Sequence, residues 1–382
     1  MSDFPPATII VSAEELAEYA ARWAAEPLLA IDTESNSLYA YREQVCLIQL
    51  STRTADFIID PLEVADLSPL APLLADPGVE KVFHAAEYDL MCLKRDFDFT
   101  FANLFDTMLA ARICGGEQLG LASMLSTYFG VEVDKKHQRA DWGARPLSPE
   151  LLHYAQLDTH FLPELRDLWK ARLEERGRWQ EAQEAFGELA RIPPAEHHFD
   201  PEGFWRINGA QDLSPRQLSL VRELYLLRER LAEARDVPPF KIFDDRALLA
   251  LAQVAPHHLS DLPGLPGMSA LQIRRYGHDI LRAIQRGEAS RPPTPHRSPR
   301  PDPHTLVRYE ALRNWRRQRA LERGVESDVI VPRDTLWELA RRAPTSLEEL
   351  NAIPGLGPWK VQAYGVEILH VIAGANGGGG KR

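Results

Sequence analysis

The sequence predicts an α/β domain with a mixed central sheet flanked by helices, followed by two all-α helical-bundle modules. Three observations carry that prediction. Over residues 1–195, short apolar runs rich in β-branched residues are interleaved with amphipathic stretches, the pattern of a sheet covered by helices. From "RIPP" at 191–194 onward the strand-like runs vanish, and the chain reads as helix punctuated by Pro and Gly. Within that helical part the sequence repeats itself without a gap.

The elements follow in order. "TIIVS" (8–12) reads as the first strand and "AEELAEYAARWAAE" (13–26) as an amphipathic helix. "LLAID" (28–32), "VCLIQLS" (45–51), "DFIIDP" (56–61) and "KVFHA" (81–85) supply four more strands. "YDLMCLKRDF" (88–97), "DTMLAARIC" (106–114) and the long run "PELLHYAQLDTHFLPELRDLWKARLEER" (149–176) are helical. The helical modules span 212–290 and 304–374. They are separated by the proline-rich spacer "RPPTPHRSPRPDP" (291–303), which favours an extended chain. Register between the two copies is regular. Pro266 falls on Pro354, and the same displacement lays Leu248 on Leu336, Leu262 on Leu350, Tyr276 on Tyr364, Gly277 on Gly365 and Ile280 on Ile368. The final residues, 375–382, are glycine-rich and expected to be disordered.

At 382 residues the chain exceeds one ordinary core. No run of 18 apolar residues occurs, so no membrane span is expected, and the first residues do not read as a signal peptide. Three cysteines without CxxC spacing (Cys46, Cys92, Cys114) argue for reduced core thiols in a cytoplasmic protein. The net charge of −11 counts against a general polyanion binder. One segment, 304–323, reverses that sign with Arg308, Arg313, Arg316, Arg317, Arg319 and Arg323. On charge alone it fits a solvated helix face as well as a nucleic-acid contact.

Chemistry is concentrated in carboxylates that a fold alone would not require. Asp32 and Glu34 follow the apolar run 28–31 and, two apart on a strand, point the same way. Asp89 opens an apolar-periodic helix, where a helix cap is the simpler reading. Asp158 has apolar flanks, and Tyr154 lies about 40° from it around the helix, so phenol and carboxylate share a face. A compact domain can bring all four acids to one point. They would then need cations, and an all-oxygen donor set selects Mg²⁺ or Mn²⁺ over zinc. Two such ions roughly 3.5–4 Å apart would clamp the attacking and leaving oxygens of a phosphoryl displacement.

"IDTES" (31–35), "FHAAEYDL" (83–90) and "YAQLD" (154–158) resemble the three motifs of the DEDD superfamily of 3′→5′ exonucleases, and the Tyr-x-x-x-Asp spacing resembles its tyrosine branch. "YREQVCLIQLS" (41–51) is similar to the second strand of the ribonuclease D family, and the paired modules look like HRDC domains. The resemblance covers nearly the whole chain. It implies a ribonuclease H-like exonuclease domain, with Asp32, Glu34, Asp89 and Asp158 as ligands of two divalent cations. Tyr154 would orient and help deprotonate the attacking water. "HYAQLD" also fits the His-x4-Asp pattern of the histidine branch, but His153 lies about 140° from Asp158 on an ideal helix, which favours Tyr154. Thr33, Leu38, His84 and Gln49 are candidate contacts to the terminal nucleotide, although a histidine at a strand end is more often a satisfied polar group. Asp106 reads as a helix cap.

The implied activity is 3′→5′ exoribonuclease action on RNA with a single-stranded 3′ end, tRNA precursors being the implied substrate class. A DNA exonuclease and a catalytically silent nucleic-acid scaffold are the alternatives. No obligate protein partner is evident. "LNAIPGLGPWKVQAYG" (350–365) also resembles a helix–hairpin–helix, whose turns present N–H groups to phosphates. The second module is therefore expected to make more phosphate contact than the first, through Arg313, Arg316, Arg317 and Lys360. Modules that serve only as packing spacers are the competing expectation.

Overall fold

The structure is a computed structural model and describes residues 4–196, 198–294 and 301–377. The chain divides into two compact units. One comprises Met1–Glu34, Val45–Ala195 and Pro299–Arg382; the other comprises Ser35–Gln44 and Glu196–Ser298, each taken over its described residues.

In the first unit, β1 (Thr8–Ile10), α1 (Ala13–Trp23), β2 (Leu28–Ser35), β3 (Val45–Ser51), β4 (Asp56–Ile59), α2 (Leu70–Ala75), β5 (Glu80–Phe83), α3 (Glu87–Phe97), β6 (Leu104–Asp106), α4 (Thr107–Ile113) and α5 (Leu121–Phe129) follow one another. Helices α6 (Pro149–His160), α7 (Leu162–Glu175) and α8 (Trp179–Leu189) complete the domain. The strands form one six-stranded sheet in the order β1-β4-β3-β2-β5-β6. β1 runs parallel to β4, β2 to β5 and β5 to β6, while β3 and β4 are antiparallel, so the sheet is mixed as expected. Its main apolar layer includes Leu16, Trp23, Ile48, Phe83, Leu90 and Phe105. A second layer, with Cys46, Leu47, Ile58, Trp142, Tyr154 and Ala155, seats α6 on β3 and β4.

The run 149–176, expected as one helix, breaks at Phe161 (φ −96°, ψ 0°). Pro163 in the first turn of α7 lacks an N–H and crowds the preceding turn, so a fresh helix starts there. Strand β6, only three residues long, was not expected.

The second unit carries α9 (Pro215–Arg235), α10 (Pro239–Ile242), α11 (Asp245–Val254) and α12 (Ala270–Ala289). The first unit also holds the second helical module: α13 (Pro303–Arg323), α14 (Ser327–Ile330), α15 (Arg333–Arg342), α16 (Leu347–Asn351) and α17 (Pro358–Gly377). α17 runs three residues into the stretch expected as a disordered tail; residues 378–382, and 295–300 of the spacer, lie outside the described residues.

The repeat recurs in detail. Leu248 and Leu336, like Leu262 and Leu350, are fully buried. Ala255 and Ala343 both end a helix in the left-handed region (φ 51° and 47°). A methyl on Gly277 would stand 2.7 Å from Leu259, and one on Gly365 would stand 2.7 Å from Leu347. Among the described residues no helix is long and apolar enough to cross a membrane.

Candidate active site

The acids sit where the sheet releases its strands. Leu28–Ile31 of β2 are buried, whereas Asp32 to Ser35 are half-buried as the strand leaves the core. Parallel pairing of Ala30 with Val82 sets the C-terminal ends of β2 and β5 side by side. From the end of β5 the chain turns into α3, whose first turn carries Asp89, 7% exposed. The Ala86 N–H at that helix start donates to Asp106 at 2.7 Å, and Asp106 also caps α4 by accepting from the Leu109 N–H at 2.8 Å. Thr33 donates its hydroxyl to Asp89. α6 begins at Ser148, which accepts from the Leu151 N–H, with Pro149 in the first turn, and it brings Tyr154 and Asp158 over the sheet.

Burial and neighbouring carboxyls raise the proton affinity of all four acids. Burial holds Asp32 well above the carboxylate range, and Asp89, Asp158 and Glu34 raise it further. Burial, then Asp158 and Asp89, pushes Glu34 up to about 9. Asp158 is raised by burial and by Asp89. Asp89 is raised by burial and by Asp106, against the bond from Thr33. These acids repel one another in a weakly hydrated cleft while three of them remain half-open to solvent. Among the described residues no three acidic, histidine or cysteine side chains stand at the spacing of a preformed metal shell. The donor set is all carboxylate, the chemistry of a hard divalent ion. A bound ion of that kind would offset the mutual repulsion of these acids.

Tyr154 belongs to the same field. It is 6% exposed and packs in the layer of Trp142 and Ala155. Burial, then Asp158, Glu34 and Asp32, raises its phenol far above the ordinary value, against a hydrogen bond with Gln138. The phenol is thus held protonated until positive charge arrives. His137 approaches its ring at 5.6 Å and Trp142 at 6.1 Å. The loop bearing these residues is clamped to the sheet by Arg145, which donates to Asp60 at 2.6 and 2.7 Å and to the Cys46 carbonyl at 2.8 Å. His153 stacks on Phe4 at 5.4 Å and, with Tyr154, His137 and Lys136, lines a cleft of about 710 Å³.

The remaining candidates divide. The Thr33 hydroxyl is committed to Asp89, which leaves only its backbone for a substrate. Leu38 is 40% exposed on the loop after β2. His84 shares a 2.9 Å hydrogen bond with Thr107, and burial lowers its pKa to about 4, so it is a neutral, satisfied histidine. Gln49 is fully buried with both amide atoms unpartnered in the protein.

The phosphate contacts expected in the second module divide too, with Lys360 and Arg316 drawn into the packing and Arg313 and Arg317 exposed. Lys360 is only 7% exposed. Arg316 donates to the Val331 carbonyl at 2.9 Å, as its counterpart Arg228 donates to the Phe243 carbonyl, which makes it a packing residue of the repeat. Arg319 pairs with Glu367 and Glu322, and Arg323 with the buried Glu181. Arg313 pairs with Glu310 at 2.8 Å but stays exposed; Arg317 is exposed and has no ion pair among the described residues. The turn before α17 faces an acid of its own chain. Glu184 accepts the Trp359 N–H at 2.6 Å, and a methyl on Gly357 would fall 2.2 Å from the Glu184 carboxyl carbon.

A family model described as 3′-5′ exonuclease matches residues 7–174, and the HRDC domain model matches 217–284 and 305–372. Ribonuclease D of Acidiphilium cryptum is 32% identical over 97% of this chain and 94% of its own length. The chain belongs to the ribonuclease D family. It is a 3′→5′ exoribonuclease with two HRDC domains. The crystal structure of Escherichia coli RNase D, described as an exoribonuclease involved in structured RNA processing, is 26% identical and superposes with a TM-score of 0.69, covering 97% of this chain and 99% of that one. The catalytic core of RRP6 from Trypanosoma brucei, 29% identical, gives 0.69 over 76% of this chain and 82% of its own. Exonucleases of this kind are divalent-metal-dependent.

Proposed function

We propose that the chain trims the 3′ ends of RNA precursors, tRNA precursors among them, releasing nucleoside 5′-monophosphates in the cytoplasm. One observation carries the reading: acids from three segments meet, Asp32 and Glu34 flanking Thr33, whose hydroxyl donates to Asp89, and Asp158 near enough to raise the proton affinity of Asp32, Glu34 and Tyr154. The three buried cysteines agree with a reducing compartment.

Asp32, Glu34, Asp89 and Asp158 would hold two Mg²⁺ or Mn²⁺ ions. When bound, these supply charge neutralisation for a phosphoryl displacement and acidify the attacking water. Asp89 lies in the first turn of α3 and Asp158 on α6. Tyr154, whose ring lies 5.6 Å from His137 and 6.1 Å from Trp142, would orient that water through its hydroxyl, and its position about 40° from Asp158 around α6 supports the tyrosine over His153 in that role. The cleft that Tyr154 lines would seat the single-stranded end.

The test incubates 3′-extended tRNA and matched single-stranded DNA with Mg²⁺ or EDTA, using wild type and Asp32→Asn. Mononucleotide release from the RNA, lost by about 10²–10³-fold or more in the variant and abolished by EDTA, is the expected result. Activity persisting in Asp32→Asn with EDTA present would overturn the mechanism, and equal trimming of DNA would overturn the substrate class.

A further inference from the structure

Asp56, the first residue of β4, is a carboxylate with no place in the reaction just described, yet it is only 9% exposed. Burying a charge is costly unless donors satisfy it. Three do. The Gln156 amide donates at 2.6 Å, the Ser51 hydroxyl donates at 2.6 Å, and His160 Nδ1 lies at 2.8 Å. Ser51 in turn shares a 2.7 Å hydrogen bond with Thr159. Gln156 also donates to the Pro5 carbonyl at 2.7 Å, and Phe4 stacks on His160 at 4.0 Å. Gln156, Thr159 and His160 all lie on α6 and bracket Asp158 in sequence.

The helical geometry gives this hub its leverage. Gln156 and His160 each lie about 160° around α6 from Asp158, so the grip is on one edge of the helix and the catalytic pair on the other. A hold at one edge fixes the roll of a helix about its axis. At the outer radius of about 5–6 Å, a roll of about 10° carries a side chain by about 1 Å. A misplacement of that size at reacting groups costs about 10²-fold in rate.

We infer that Asp56 is a positioning residue: through Gln156, Ser51–Thr159 and His160 it sets the roll of α6 and so places Tyr154 and Asp158 over the cleft. This rests on the catalytic reading of those two residues. It makes the hub a determinant of turnover and of cation affinity rather than of RNA binding.

The experiment compares wild type with Asp56→Ala, Asp56→Asn and Asp158→Asn, well below the melting temperature of each. It measures kcat, KM for a 3′-extended RNA and the Mg²⁺ midpoint of activation. Asp56→Ala is expected to lose about 10–100-fold in kcat with KM within about three-fold, and to need several-fold more Mg²⁺. Asp56→Asn keeps an acceptor for Gln156 and can pair with Ser51 and His160, so it recovers kcat to within about three-fold of wild type. Gln156→Met withdraws one donor at similar volume and carries the same comparison if Asp56→Ala does not fold. A folded Asp56→Ala, or Gln156→Met in its stead, with wild-type kcat and Mg²⁺ midpoint overturns the positioning role. Full activity in Asp158→Asn instead sinks the catalytic reading itself, so the two failures are told apart.

Discussion

The Thr33 hydroxyl donates a 2.5 Å hydrogen bond to Asp89, joining the emerging end of β2 to the first turn of α3 across 56 residues of sequence. With Asp158 arriving on α6, three segments meet around one concentration of negative charge. Four expectations follow from that charge and from the packing of the modules.

The metal-free protein is expected to lose stability as pH rises. Glu34 ordinarily titrates near 4.5 and here near 9, and Asp32, Asp89 and Asp158 are shifted in the same direction. Folded carboxyls with raised pKa hold protons that the unfolded chain releases, so their contribution is present at low pH and lost as pH climbs from 4.5 toward 9. Melting temperatures in EDTA should fall across that window. Mg²⁺ should raise them and flatten the slope, because it binds only the folded acids. A pH-independent melting temperature in EDTA contradicts this.

Tyr154→Phe keeps the ring among Trp142 and Ala155 and removes only the hydroxyl. Its kcat should drop by about 10²-fold with KM and melting temperature little changed. His153→Ala, measured alongside, should be the milder change; the reverse order would transfer the catalytic role to His153.

Glu181 is 2% exposed and chelated by Arg323 of α13. Glu181→Ala strands that guanidinium, with an expected loss of about 3–5 kcal/mol in chemical denaturation. The double variant Glu181→Leu/Arg323→Met should recover much of it. Arg317→Ala, on the same helix without an ion pair among the described residues, should leave stability unchanged.

Gly277 and Gly365 occupy equivalent places in the two modules, each closed by a leucine that a methyl group would meet at 2.7 Å. Alanine at either should destabilise its own module by about 1–3 kcal/mol. Differential scanning calorimetry that finds one substitution neutral would break the equivalence.

Much of this was legible in the sequence, and the reason is periodicity. Asp32 and Glu34 interrupt an apolar strand, Tyr154 and Asp158 share a helix face, and the module repeat survives residue by residue from Leu248 and Leu336 to Ile280 and Ile368. What escaped depends on contacts distant in sequence. Asp56 meets His160 across 104 residues, and nothing local marks either. The arginines of α13 read as a phosphate-facing array because charge is visible in sequence and partners are not. Arg316 is taken by the Val331 carbonyl, Arg319 by Glu367 and Arg323 by Glu181, while Lys360 folds inward. Strand β6 was missed because its three residues run straight into helix α4, and the helix break at Phe161 because the apolar periodicity continues across Pro163.

The most direct measurement is Mn²⁺ binding followed by electron paramagnetic resonance and titration calorimetry at neutral pH, with wild type and Asp32→Asn. Convergent acids with raised proton affinity should take up two ions per chain and release protons as they do so, and Asp32→Asn should lose at least one of those sites. Saturable binding that is absent from wild type, or unchanged in stoichiometry in Asp32→Asn, would mean that these four carboxylates do not share a cation cleft.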